Sequence, residues 1–107
     1  MVEMRSGRID PAYIIDLSKV ESLKSIQDLT SGGIRIGAMA TLTEVAAWPT
    51  VQARYRAVRE AVISIGSAQI RNRGTLAGNI CHASPAADSV PALLVYEAIL
   101  VIVQREA

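Results

Sequence analysis

The clearest hydrophobic pattern in the chain predicts a helix from Arg54 to Ile65. Apolar residues in this stretch recur at spacings of three and four, so they fall on one face, and the arginines and Glu60 lie elsewhere around it. Gly66 follows immediately, at the position where a left-handed residue commonly ends a helix. We interpret the apolar face as part of the hydrophobic core.

Three other stretches have the pattern of β-strands. Tyr13–Leu17 is a short run rich in β-forming residues, and Ile34–Ile36 alternates apolar and polar positions after a Ser-Gly-Gly turn. Ile99–Val103 is continuously apolar, which is typical of a strand covered on both faces. The intervening residues 19–27 are mixed, and their apolar positions fit either one helical turn or packing under a loop.

Shorter helices are predicted from their ends. Thr41 and Glu44 have the spacing of a capping box, which predicts a helix through about Trp48 that Pro49 stops.

A further helix is predicted over Val90–Ala98, with Asp88 or Ser89 as its N-cap and Pro91 in its first turn. The order of strands and helices lacks regular β-α-β alternation and therefore favours an α+β domain.

Composition excludes several classes of protein. A chain of 107 residues, half of them hydrophobic, fits one folded domain, and a net charge of +1 gives no general basis for binding nucleic acid or an anionic membrane. No apolar run approaches the ~20 residues of a membrane span. A single cysteine indicates a cytoplasmic protein. The mean hydropathy of +0.29 indicates either apolar surface buried against something else or simply an Ala- and Val-rich chain.

The segment Ser67–Asp88 concentrates glycine and polar side chains without helical or strand periodicity. Such a segment is either a ligand-binding loop or a connection whose polar groups satisfy one another, and composition alone favours the second. The standard phosphate-binding fingerprints are absent, which argues against a standard nucleotide-binding module.

Other chemistry in this segment is weakly supported. Cys81 and His82 are neighbours that would point in opposite directions if extended, so neither a metal site nor a nucleophilic pair is expected. Arg71 and Arg73 could reach a phosphate but are more typical of solvated surface. Ser84 lies outside a hydrolase motif. No catalytic or metal-binding residue is predicted.

Two sequence runs resemble a known family. GIRIGAMATLTEV, followed by IRNRGTLAGNICHASPAADSVPALLVYEAILVI, is similar to the FAD-binding subunit or domain of molybdenum hydroxylases, such as xanthine dehydrogenase and the medium subunit of carbon monoxide dehydrogenase. The opening MRSGRIDPAYIIDLSKVESLKSI also resembles the segment after the first FAD loop of that family. The resemblance implies the middle subdomain of an α+β, PCMH-type FAD-binding domain, with a mixed or antiparallel sheet packed against helices, over residues 1–107.

The resemblance also implies a role for individual residues. Thr75 supplies a hydroxyl to FAD, Asn79 supplies its amide, and backbone groups between them face the cofactor, while Ala77 replaces the first of two glycines. Ser84 begins and Asp88 ends an SPxxD motif whose aspartate is a polar contact on the flavin side. The implied FAD-binding residues are Thr75, Leu76, Ala77, Gly78, Asn79, Ser84 and Asp88.

In that family the flavoprotein passes electrons from iron–sulfur clusters through FAD to an acceptor. The resemblance thus implies partner subunits or domains that carry a molybdenum cofactor and 2Fe-2S clusters. It places the first FAD loop before Met1 and further domains after the last residue, so we expect a chain truncated at both ends. The alternative expectation is a structural or interaction fragment that binds no FAD.

Overall fold

The computed structural model describes residues 2–84 and 87–105 of the chain. Its elements are α1 (Val2–Arg5), a 3-10 turn (Glu21–Leu23), β1 (Ile26–Asp28), β2 (Ile34–Ile36), α2 (Leu42–Ala47), α3 (Pro49–Arg54), α4 (Arg56–Ile63), α5 (Ala68–Arg71), α6 (Leu76–Cys81) and α7 (Ser89–Val95). The fold is α+β, as predicted: a small antiparallel sheet accompanies a cluster of short helices. No helix within the described ranges is long and apolar enough to cross a membrane.

The sheet is a two-stranded hairpin. Ile26 pairs with Ile36 and Asp28 with Ile34, which confirms β2 and resolves the mixed segment before it into a turn and a strand. The reversal is closed by the Leu29 N–H donating to the Gly33 carbonyl at 2.7 Å. Gly32 has a φ of +98°, which a residue without Cβ adopts at little cost.

The core lies among the helices. Helix α4 packs against α2, α3 and α7, and α2 begins with the predicted capping box: Thr41 Oγ1 accepts from the Glu44 N–H, and Glu44 Oε2 accepts from the Thr41 N–H. The fully packed apolar residues are Ala40, Leu42, Val45, Val51, Val58, Val62, Leu76 and Ala92.

Pro49 stops α2 as predicted and is also the first residue of α3, where its missing N–H has no helical acceptor to lose. The sheet is tied to this junction by Asp28, whose Oδ1 accepts from Trp48 Nε1 at 3.1 Å and from the Thr50 hydroxyl at 2.6 Å. The hydrogen bond from Thr50, followed by that from Trp48, lowers the pKa of Asp28 below its usual value.

The predicted helix over Arg54–Ile65 is observed only as the shorter α4, Arg56–Ile63. Tyr55 is not helical, and it separates α4 from α3, which ends at Arg54. Gly66 is left-handed as predicted, with a φ of +53°.

Two predicted strands are wrong. Tyr13–Leu17 and Ile99–Val103 form neither strand nor helix, and their large apolar side chains are 46–89% exposed. A run of β-forming residues becomes a strand only when another strand satisfies its backbone groups, and within the described chain neither run has such a neighbour. The expectation that Ile99–Val103 is covered on both faces is therefore also wrong.

Candidate functional site

The segment from Ser67 to Asp88 includes two short helices, which corrects the prediction that it has no helical structure. It contains α5 and α6, of four and six residues. Helices this short carry too few residues to show a hydrophobic period. Each depends instead on its N-cap: Ser67 Oγ accepts from the Ile70 N–H, and Thr75 Oγ1 accepts from the Gly78 N–H.

Thr75 and Gly78 fit each other closely at the start of α6. The hydroxyl oxygen of Thr75 lies 2.9 Å from the Gly78 nitrogen. A Cβ on Gly78 would also come within 2.9 Å of that oxygen, so a side chain there would disturb the cap. The glycine thus keeps the first turn of α6 tight, and the residue is exposed.

The start of α6 is held beside the start of α2. Thr41 and Thr75, the two N-cap residues, form an isolated antiparallel bridge, and the Leu42 N–H donates to the Gly74 carbonyl at 2.8 Å. Because Leu42 is almost fully buried, this contact anchors the candidate segment to the core. Two helix N-termini that are far apart in sequence are therefore neighbours.

Asn79 connects α6 to α7. Its Oδ1 accepts a hydrogen bond from the Ser89 hydroxyl at 2.5 Å, and Ser89 is only 1% exposed. The sequence suggested Ser89 only as an alternative N-cap. Its positioning role was missed because the pairing joins residues ten apart through tertiary packing, and no local motif signals it.

Asp88 occupies the N-cap position of α7 without capping it. Its backbone is in the helical region and its side chain makes no capping hydrogen bond, so that structural prediction is wrong. The exposed carboxylate is directly next to buried Ser89 in sequence. Ser84 is half-buried, and its carbonyl accepts from the Ala87 N–H. The other two residues of the predicted SPxxD motif, Pro85 and Ala86, lie outside the described residues.

The start of α6 also presents unused backbone donors. Within the described part of the chain, the N–H groups of Thr75 and Ala77 donate to no protein acceptor. Such groups at a helix start can donate to an oxygen of a bound molecule or to water. Five of the seven predicted site residues thus form a continuous capped turn, Thr75–Asn79, which is linked through Ser89 to the chain that carries Asp88.

Cys81 and His82 lie at the end of α6 and not in an extended segment. Adjacent residues on a helix point about 100° apart, so the two side chains still diverge. Across residues 2–84 and 87–105, no group of three His, Cys, Asp or Glu side chains is placed to hold a metal ion.

Comparison with known proteins identifies the family. The sequence model described as FAD binding domain in molybdopterin dehydrogenase matches residues 1–107. The chain belongs to this family. This confirms the resemblance drawn from the two sequence runs, and it makes the protein an FAD-binding domain of the molybdopterin dehydrogenase type.

Curated relatives of this FAD-binding domain are subunits of dehydrogenases. The chain is 33% identical over 102 residues to the nicotinate dehydrogenase FAD-subunit of Eubacterium barkeri. The aligned region covers 95% of this chain and 34% of that subunit. It is 37% identical over 93 residues to the carbon monoxide dehydrogenase medium chain of Hydrogenophaga pseudoflava, and the aligned region covers 87% of this chain and 31% of that medium chain. The xanthine dehydrogenase FAD-binding subunit of Escherichia coli O157:H7 is 36% identical over 90 residues, and the aligned region covers 84% of this chain and 31% of that subunit. The chain thus spans about a third of the length of these relatives.

Proposed function

We propose that this chain binds FAD through the capped turn Thr75–Asn79, together with Ser84 and Asp88, as part of a multi-subunit dehydrogenase. The family match along all 107 residues is the observation that carries the proposal. The geometry supports it, since the turn has unused backbone N–H donors beside an exposed glycine. Those donors suit the anionic and carbonyl oxygens of a dinucleotide cofactor.

Asn79 contributes a directed donor to this proposed site. Since its Oδ1 already accepts from Ser89, its Nδ2 group is turned away from that bond and has no acceptor within the described chain. The buried Ser89 hydroxyl therefore orients the amide, and the amide presents its N–H groups to the cofactor. Leu76 is buried and holds the turn against the core, so it would contribute through its backbone.

FAD supplies the redox chemistry when it is bound, because the isoalloxazine ring accepts and releases electrons. The residues of this chain would bind and orient it, and none needs to act as an acid, base or nucleophile. We place the domain between 2Fe-2S clusters that receive electrons from a molybdenum cofactor on partner subunits and an external electron acceptor. The proposal of these partners rests on the family. The proposal of a cytoplasmic location rests on the single cysteine.

The direct test is a titration of the purified chain with FAD, followed by flavin absorbance and by quenching of flavin fluorescence. We expect saturable uptake of one flavin per chain. A chain that purifies without flavin and takes up none in the titration would contradict the proposal, and would support the alternative that it acts as a structural fragment.

Replacement of single residues tests the site itself. We expect Asn79→Ala to weaken flavin retention by about tenfold, the value of one lost hydrogen bond to a cofactor, and Cys81→Ala at the other end of α6 to leave it unchanged. Ser89→Ala keeps the amide but releases its orientation, so its effect should fall between the two. Equal retention by Asn79→Ala and Cys81→Ala would argue against this location for the cofactor.

A further inference from the structure

A cleft with a partly polar lining lies where α2, α3, α4 and α5 meet. Its volume is about 310 Å³, near the lower limit for small-molecule sites and about ten times the volume of one water molecule. Its polar lining comes from Thr43, Gln52, Arg59, Arg71 and Asn72. These residues are separate from the seven assigned to FAD.

Arg59 lines this cleft, and its guanidinium has no partner among the residues that the structure describes. Its Nε is fully buried yet has no hydrogen-bond partner within the described residues, and its guanidinium forms no ion pair there. A buried N–H without an acceptor is costly, and a guanidinium remains charged at any physiological pH. A guanidinium without a carboxylate partner attracts anions to the space beside it.

The second guanidinium is held in place by backbone. Arg71 Nη1 donates to the carbonyls of Ile65 at 3.1 Å and Gly66 at 3.0 Å, just beyond the end of α4. These bonds use one nitrogen of the guanidinium, and Arg71 also lines the cleft. Arg71 therefore adds a fixed positive charge at little further cost in side-chain entropy.

Neighbouring polar groups complete a set suited to an anion. The Thr43 hydroxyl donates to Asn72 Oδ1 at 2.6 Å, which leaves the Asn72 amide N–H groups as donors at the rim. No carboxylate lines the cleft among the described residues. The nearby glutamates on the same helices are engaged elsewhere: Glu44 in the capping box of α2 and Glu60 in an ion pair with Arg56. The cleft thus has two positive charges and no negative one.

We propose that the Arg59–Arg71 cleft binds a small oxyanion, a phosphate or a carboxylate group, independently of FAD. The planar guanidinium of Arg59 carries paired Nη donors, the arrangement that such groups accept in pairs. The anion would accept hydrogen bonds from the Nη groups of Arg59 and neutralise the cleft.

The test is nuclear magnetic resonance of the full chain without FAD, with sodium phosphate or sodium acetate added at constant ionic strength. We expect the Arg59 Nε–Hε signal to move saturably with at least one of the two salts, and the preferred salt identifies the anion class. Sodium chloride at the same ionic strength should produce no such shift. Absence of a saturable shift with both phosphate and acetate would overturn the proposal.

Matched variants distinguish specific anion binding in the cleft from general attraction of the anion to positive charge on the surface. Arg59→Gln should weaken binding of the preferred anion by about tenfold or more, as expected when a charged hydrogen-bond partner is lost. Arg56→Gln removes the same charge from the same helix at an exposed position and should leave the affinity within about twofold, because exposed charges contribute little. If both variants weaken binding equally, the anion is only screening surface charge and the proposal fails.

Thermal unfolding gives a second readout that does not depend on signal assignment. The preferred anion should raise the melting temperature of the wild-type chain, since a ligand that binds only the folded state stabilises it. The Arg59→Gln variant should fold without the anion and show a smaller rise at the same anion concentration. An equal rise in wild type and variant would contradict a role for Arg59.

Discussion

At the scale of single residues, Thr75 combines a structural role with a proposed cofactor role, and both roles use its hydroxyl. Thr75→Ala removes the N-cap of α6 and should lower the free energy of unfolding by about 1 kcal/mol. Thr75→Ser keeps the hydroxyl and should stay close to wild type in both urea denaturation and flavin retention. A serine variant as unstable as the alanine variant would show that the methyl group, and not the cap, matters here.

Individual residues also show which helix caps can be predicted from a sequence pattern and which cannot. The Thr41–Glu44 capping box is a local arrangement within four residues, and it was correctly predicted. Asp88 has a residue type equally suited to capping, yet its side chain does not cap α7. Ser89 and Asn79, which hold α6 and α7 together, carry no local signal because each depends on where the other helix lies.

At the scale of elements, Gly37 determines how closely the end of β2 approaches the turn before β1. A Cβ there would lie 2.2 Å from the Leu23 carbonyl oxygen, and two backbone bonds cross this contact: Gly37 N–H to the Ser25 carbonyl at 2.8 Å and Met39 N–H to the Leu23 carbonyl at 2.7 Å. Gly37→Ala should therefore force the backbone apart and destabilise the chain by about 1–3 kcal/mol.

Gly33→Ala is the matched control in the same hairpin. Its new methyl group would meet only the end of the Leu29 side chain at 3.9 Å, an ordinary contact. We expect a change within about 0.5 kcal/mol, measured by urea denaturation of both variants. A Gly37→Ala variant as stable as Gly33→Ala would show that the two backbone hydrogen bonds contribute little.

At the scale of the whole molecule, Ile99–Val103 is a long exposed apolar run, with Val101 80% and Val103 89% exposed. Such surface promotes self-association. The double substitution Val101→Lys and Val103→Lys should raise the monomeric fraction in light scattering without lowering the melting temperature. Gln104→Lys adds a charge nearby but removes no apolar surface, so it should have a smaller effect. A fall in melting temperature of the valine variant would mean that these side chains are packed in solution.

The amino-acid sequence by itself determined the features that depend on neighbouring residues: the capping box at Thr41, the left-handed Gly66 after the long helix, and the alternating strand Ile34–Ile36. It also contained the two runs that place the chain among FAD-binding domains of molybdopterin dehydrogenases.

Only the tertiary structure decided which apolar runs are strands, since a strand needs hydrogen bonds from a distant segment. Ile26–Asp28 has such a partner, and Tyr13–Leu17 has none within the described chain. Tertiary packing likewise brought Arg59 and Arg71 to one cleft and Asn79 to Ser89, because helices too short to be stable alone take their positions from the core they share.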